Sequence, residues 1–394
     1  MDNLLIRLTA HKQNKNTTLY LFLAAVLCLL YLNMGQYLGG VQLFSSGSIL
    51  IIRFALIVFS FSLSVIFLYK YIAFSKVSVL GAGTLFYFSS LIPSLLNAGM
   101  YDSFIASFCS QSFWFACFLF FCVFTESSRK VDYDFIAKIL GVAFWIFAVR
   151  YFIWLVSDAE EISGSLNCVY YSLLLLPCAL MMKSIVFKVG IIGMSMVNVV
   201  ISGKRTAFIV LILALIVPFI IELFGQRKGK TLVTVIVGIV AIALIYKYIS
   251  GVYDIAVFDR LDTLGEDKGA GRLDIFKDVL NAFKESSFFD KMIGHGFNAV
   301  YLNGAAWTSA HNDFIEILYD FGYIGIILYG AFLIKLIINA FRLYRMGSRM
   351  ASAYTSALIT LFVMSMSSNL ILYPTYIVFL MLFFILGIND LNRS

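Results

Sequence analysis

The sequence predicts an all-α polytopic membrane protein of about twelve transmembrane helices, and three observations carry that prediction. The 394-residue chain is 61% hydrophobic and 13% charged, with a mean hydropathy of +0.93. Soluble domains are about 45–50% apolar and about 25% charged. Its apolar runs reach the length of about 20 residues that a helix needs to cross the hydrocarbon. Finally, those runs do not alternate polar with apolar as barrel strands do, and only four prolines interrupt them.

Taken in order, the spans fall near 18–34, 49–69, 77–97, 104–124, 135–156, 166–182, 185–202, 206–224, 231–249, 314–340, 351–368 and 370–388. Arg7, His11, Lys12 and Lys15 precede the first, and NMGQYLGG after it has no clear cleavage site, so that run reads as a retained signal anchor. The six cysteines lie in or beside apolar runs without metal-ligand spacing and read as free thiols. Segment 250–313, between the ninth and tenth spans, is the only stretch between spans long enough for a subdomain. It contains RLDIFKDVLNAFKE at 272–285, where Leu273, Phe276, Val279, Leu280 and Phe283 recur at helical spacing. The expected organisation is one membrane domain over 1–394 with an outer-loop insertion at 250–313 carrying an amphipathic helix.

Basic residues in short loops set the orientation. With both termini cytoplasmic, the inside loops carry Lys70, Lys76, Arg129, Lys130, Lys183, Lys188, GQRKGK at 225–230 and FRLYRMGSR at 341–349. The outside loops NMGQYLGGVQLFSSGS, NAGMYDS, SDAEEISGS and MSSN contain no Lys or Arg. A formal charge of +7 therefore reflects the basic inside loops, and no nucleic-acid partner is implied. Lys204 and Arg205, in VVISGKRTAFIV, break the rule by falling outside. An arginine there can snorkel to lipid phosphates, or its planar fork can grip a phosphate or diphosphate.

The outer segment holds the remaining candidates. Arg260 (VFDRLD) and Arg272 (GAGRLD) each neighbour carboxylates, so a surface ion pair competes with a ligand role for both. His295 and His311 are potential general bases, although interfacial histidines are often merely polar surface. Asn312 or Asp313 can cap the helix that follows. Asp313, Glu316 and Asp320 share one face of that helix, and carboxylates inside a membrane segment are functional candidates, usually facing a wet cavity. A P-loop and HExxH are lacking, so neither nucleotide nor metal chemistry is indicated, and no cofactor is expected.

In the run HNDFIEILYDFGYIG, nine residues separate His311 and Asn312 from Gly322, and two separate Gly322 from Gly325. This H-N-x9-G-x-x-G pattern resembles the signature of the O-antigen polymerase and O-antigen ligase superfamily of lipid-linked glycan transferases. The large outer loop before it and the arginine at the outer start of the eighth span are similar to that family as well. The resemblance implies a GT-C-like, metal-independent membrane glycosyltransferase. It would act on undecaprenyl-diphosphate-linked oligosaccharide at the periplasmic face of the bacterial inner membrane.

Carried over by position, the resemblance makes Arg205 and Arg272 holders of the donor diphosphate and His311 the base, with Arg260 and His295 matching more loosely. Lys204, Asn312, Glu316, Arg260 and His295 then read as substrate-binding residues. Membrane lipids and a chain-length regulator protein are the further partners implied. Polymerase is the reading preferred, with the ligase, which transfers glycan to lipid A core, as the alternative. A flippase or transporter is the alternative from another class, but the clustering of candidates from Arg205 to Asp320 favours an enzyme.

Overall fold

The protein is described by a computed structural model over residues 78–97, 104–127, 131–157, 168–224, 271–368 and 374–393, together with parts of 51–62. The spans expected at 18–34 and 231–249, most of that at 49–69, and Arg260 lie outside the described residues. No strand occurs among the described residues, and the chain is an all-α polytopic membrane protein.

The membrane helices are α1 (Ser78–Leu96), α2 (Phe104–Ser127), α3 (Tyr133–Ser157), α4 (Val169–Leu174), α5 (Leu176–Met181), α6 (Ile185–Ser202) and α7 (Arg205–Phe224). Then come α8 (Arg272–Glu285), α9 (Phe288–Ile293) and α10 (Ala299–Leu302), followed by α11 (Asp313–Arg345), α12 (Ala351–Ser367) and α13 (Pro374–Arg393). Among the described residues, four stretches are long and apolar enough to cross a membrane on those grounds alone: Val79–Leu96, Tyr133–Leu155, Ile185–Ser202 and Asp313–Arg345.

Their surfaces fit a lipid solvent. On α3, Val142, Ile146, Val149 and Ile153 form an exposed stripe, while Phe144, Phe147, Ala148 and Tyr151 are buried behind it. A helix apolar on every side has nothing to gain from facing water, so the stripe faces lipid. Inside, aromatic rings fill the bundle: Tyr87 stacks on Phe115 with centroids 4.3 Å apart, Phe86 meets Tyr329 at 5.1 Å, and Tyr171 stacks on Tyr376 at 4.8 Å. Buried polar groups such as Tyr87 and Ser112 bond each other, at 2.7 Å, as burial requires.

Two expectations are corrected. The run 166–182 is two short helices, broken because Pro177 has no N–H for the Leu173 carbonyl; Leu175 (φ −97, ψ −3) makes the joint. In α8 the buried face is Ile275, Val279 and Phe283, whereas Leu273 and Leu280 are exposed. That i, i+4, i+8 stripe joins Ala299, Val300, Ala306, Ala310 and Tyr319 in a second small core. The amphipathic helix thus packs over the start of α11, with Phe283 edge-on to Tyr323 at 5.3 Å.

Side-chain contacts sort the loops into two ends of the bundle. At one, Asp134 at the start of α3 pairs with Lys183 (2.6 Å) and Arg349 (2.5 Å), and Ser348 donates to Asp390 (2.5 Å) near the end of α13. At the other lie the α6–α7 turn and the segment 271–312. That segment is tied to the C-terminal end of α1 by Phe297 N–H to Ser94 Oγ (3.0 Å), and Asn312 ties it to the C-terminal end of α12 by Nδ2 to Met366 O (3.0 Å).

A cationic site at the helix starts

Lys204 and Arg205 sit in the tightest connection of the bundle. Gly203 ends α6 in the left-handed conformation (φ 65), with its N–H on Val200 O, and α7 begins at Arg205. A glycine tolerates that backbone without a Cβ clash. Lys204 accepts the first helical bond from Phe208 N–H at 3.1 Å, so Arg205 occupies the first position of α7.

Arg272 repeats this placement. Gly271 (φ 77) precedes it, and Arg272 is the first residue of α8. A cation at a helix N-terminus opposes the positive end of the dipole. Two arginines in that position therefore carry a local electrostatic cost, and add to the free N–H groups and dipole that already favour an anion.

His311 stands immediately before the N-cap of α11, with φ 51. Asn312 is the cap: its Oδ1 accepts from Phe314 N–H (2.9 Å) and Ile315 N–H (3.2 Å). His311 is half-buried, and two effects lower its pKa: burial first, then the Arg272 guanidinium nearby. Both disfavour the imidazolium and so favour the neutral ring, the form that can accept a proton.

The same guanidinium acts electrostatically on Tyr170, the second residue of α4, and the Tyr170 side chain is hydrogen-bonded to that of Thr206, next to Arg205. A chain of neighbours, Thr206, Tyr170, Arg272 and His311, thus links the starts of α4, α7, α8 and α11. Nothing in VYYS marks Tyr170 as anything but a core aromatic, and Thr206 is one more small polar residue; sequence reasoning had no signal for either.

Alternatives open at the level of sequence are narrowed. Asp274 pairs with Lys277 at 3.8 Å, and Arg272 makes no ion pair among the described residues. A surface pair with Asp274 does not account for this arginine.

His295 is engaged elsewhere. Its Nε2 is 2.9 Å from Ser286 Oγ and its ring stacks on Tyr319 at 4.4 Å. Ser286 caps the C-terminal end of α8, about 20 Å along the helix axis from Arg272. His295 is not brought together with Arg272.

Glu316 and Asp320 are fully buried and bind backbone. Glu316 Oε2 accepts from Ala310 N–H (2.5 Å), and Asp320 accepts from Asn298 N–H (2.7 Å) and Val300 N–H (3.2 Å).

The glycine of the HN…G spacing is equally local in cause. Gly322 (φ 66, ψ −167) breaks α11 in a conformation essentially reserved for glycine. A Cβ there would lie 2.6 Å from the Met292 carbonyl carbon and 2.7 Å from Gly294 N. Helix carbonyls near the break are recovered by the crossing loop, through His295 N–H to Tyr319 O (3.2 Å) and Gly296 N–H to Asp320 O (2.8 Å).

A comparison with curated proteins gives no match. The comparison with protein families gives one whose model begins in α6, passes through the arginine-led helix starts and His311, and ends beyond the Gly322 break. Residues 189–330 match the model of a family described as O-antigen ligase, which supports membership of the O-antigen polymerase and ligase superfamily.

Proposed function

We infer that the protein is a surface-polysaccharide polymerase. It would move a growing undecaprenyl-diphosphate-linked glycan onto a lipid-linked repeat unit at the periplasmic face of a bacterial inner membrane. The observation that carries this reading is the half-buried His311 standing close enough to Arg272, the first residue of α8, for the guanidinium to act on its ring. Lipid diphosphate is a dianion or more, and planar guanidinium groups with helix N–H donors suit its oxygens.

In the reaction, His311 takes the proton from an acceptor sugar hydroxyl, and that oxygen attacks the anomeric carbon of the donor. The bond from that carbon to the diphosphate oxygen breaks, its electron pair leaves with the lipid diphosphate, and the anomeric configuration inverts. Arg272 and Arg205 stabilise the negative charge that grows on the leaving group, which is where binding energy raises rate. Lys204 contributes a point charge beside them. The broken glycosyl diphosphate bond supplies the free energy, so no nucleotide triphosphate is required.

A ligase that delivers the glycan to lipid A core is the second reading, favoured by the description of the matching family as O-antigen ligase. Deleting the gene and examining surface glycan separates the two. Single repeat units on the core indicate a lost polymerase. Bare core, with long chains accumulating on undecaprenyl diphosphate, indicates a lost ligase.

A further inference from the structure

Glu316 and Asp320 take no part in the transfer chemistry, yet both are fully buried. Among the described residues the ion pairs involve Asp134 and Asp274, so neither is paired with a cation there. Burying a carboxyl group is costly unless it is hydrogen-bonded. An acid that only complemented the dipole of α11 could do so from an exposed position.

Their bonds point to another task. Asn312 caps α11, and Glu316 lies four residues beyond it, outside the capping-box position. Its carboxylate reaches back over Asn312 and His311 to Ala310 N–H at 2.5 Å. One turn further on, Asp320 grips Asn298 and Val300 (2.7 and 3.2 Å), and Asn298 is itself left-handed at φ 60. His311 also has the left-handed backbone that side chains with a Cβ adopt only when their surroundings impose it. It is held on both sides, by Glu316 through Ala310 before it and by the cap at Asn312 after it.

We propose that Glu316 is a positioning residue for His311, its carboxylate fixing the Ala310 amide so that the imidazole is presented beside Arg272, with Asp320 securing the loop that leads there. The proposal rests on His311 being the base. It assigns Glu316 a role through reach rather than through charge, and reach and charge can be separated.

Glu316→Asp keeps the charge and shortens the reach by one methylene; Glu316→Gln keeps the reach and an acceptor oxygen but removes the charge. The full-length protein, reconstituted in liposomes, is given undecaprenyl-diphosphate-linked oligosaccharide extracted from cells lacking the gene, and kcat and KM are measured. In Glu316→Asp the expected result is a kcat about 10²-fold lower, the scale of a 1 Å misplacement, with KM for the donor unchanged. Glu316→Gln is expected to recover kcat to within about tenfold of the parent, because its amide oxygen still accepts from Ala310.

The reverse order, with Asp active and Gln impaired, would overturn the proposal, as would two variants with parent kinetics or a loss carried by KM. His311→Ala in the same assay tests the base on its own. If that variant is fully active, the reading of the site fails whatever the Glu316 variants do.

Discussion

The two ends of the bundle use charge in opposite ways. At one end Asp134 gathers two cations: Lys183 at 2.6 Å, and Arg349 at 2.5 Å, the latter also 5.5 Å over the Tyr133 ring and bonded to the Met181 carbonyl. Around His311 the pattern inverts: Arg272 has no ion pair among the described residues, the nearby acids Glu316 and Asp320 bind backbone amides, and cations stand where helix dipoles already favour an anion. Charge closed on itself holds helices together, whereas at the other end the proposed lipid diphosphate would supply the anion that Arg272 does not meet among the described residues.

Breaking the cationic end should cost activity and leave the fold. The largest effect is expected for His311→Ala, about 10²–10⁴-fold in chain extension, the range for a lost general base. Arg272→Ala should follow at about 10²–10³-fold, the range for a lost donor to developing negative charge. Membrane extracts should contain both variants at parent levels, and normal long-chain glycan in either would remove that residue from the mechanism.

Tyr170→Phe removes only a hydroxyl. If that hydroxyl serves the charged site, as its link to Thr206 and its closeness to Arg272 indicate, the loss should be roughly 2–10-fold, the worth of a hydrogen bond between neutral groups. An unchanged rate would return Tyr170 to the core. Arg205→Ala should cost more than Lys204→Ala, because a point charge cannot supply the planar fork. Equal losses would count against bidentate binding.

The pH–rate profile sharpens the comparison further. Burial and then Arg272 push the His311 pKa down. A base must be unprotonated, so kcat/KM should fall only as pH drops through a midpoint below the ordinary histidine value of about 6.5. A midpoint above that value would mean that a carboxylate, not a guanidinium, faces the ring.

At the other end the smallest catalytic effect is expected. Arg349→Ala should lower stability by roughly 1–2 kcal/mol, a half-exposed charge-assisted bond, with kcat within about twofold of the parent. Lys183, whose side chain is 76% exposed, should matter less still.

Much of this was legible in the sequence, for physical reasons. Lipid leaves a helix no partial solutions, so apolar length located Ile185–Ser202 to the residue. Lys204 and Arg205 were conspicuous because they broke a charge rule, and the spacing from His311 to Gly322 was visible because a cap and a break occupy fixed positions on one helix. Pro177 carried a readable signal that apolar length overrode.

Tyr170 was not legible, because its partners arrive from α7 and α8, far away in the chain. Nor was the backbone bond of Glu316: an acid inside a membrane segment reads as a substrate-binding group facing a wet cavity until the Ala310 amide is found against it. The buried face of α8 was read in part: Val279 and Phe283 are buried, but Ile275, as apolar as Leu273, completes the stripe while Leu273 and Leu280 are exposed.

The most direct test of the account reconstitutes the protein with undecaprenyl-diphosphate-linked oligosaccharide and measures undecaprenyl diphosphate release together with chain length. Parent protein and the Arg349→Ala variant should release lipid diphosphate as chains lengthen, while His311→Ala and Arg272→Ala release almost none. Release undiminished in His311→Ala, or lost to the same degree in Arg349→Ala, would contradict the assignment of the chemistry to the cationic end.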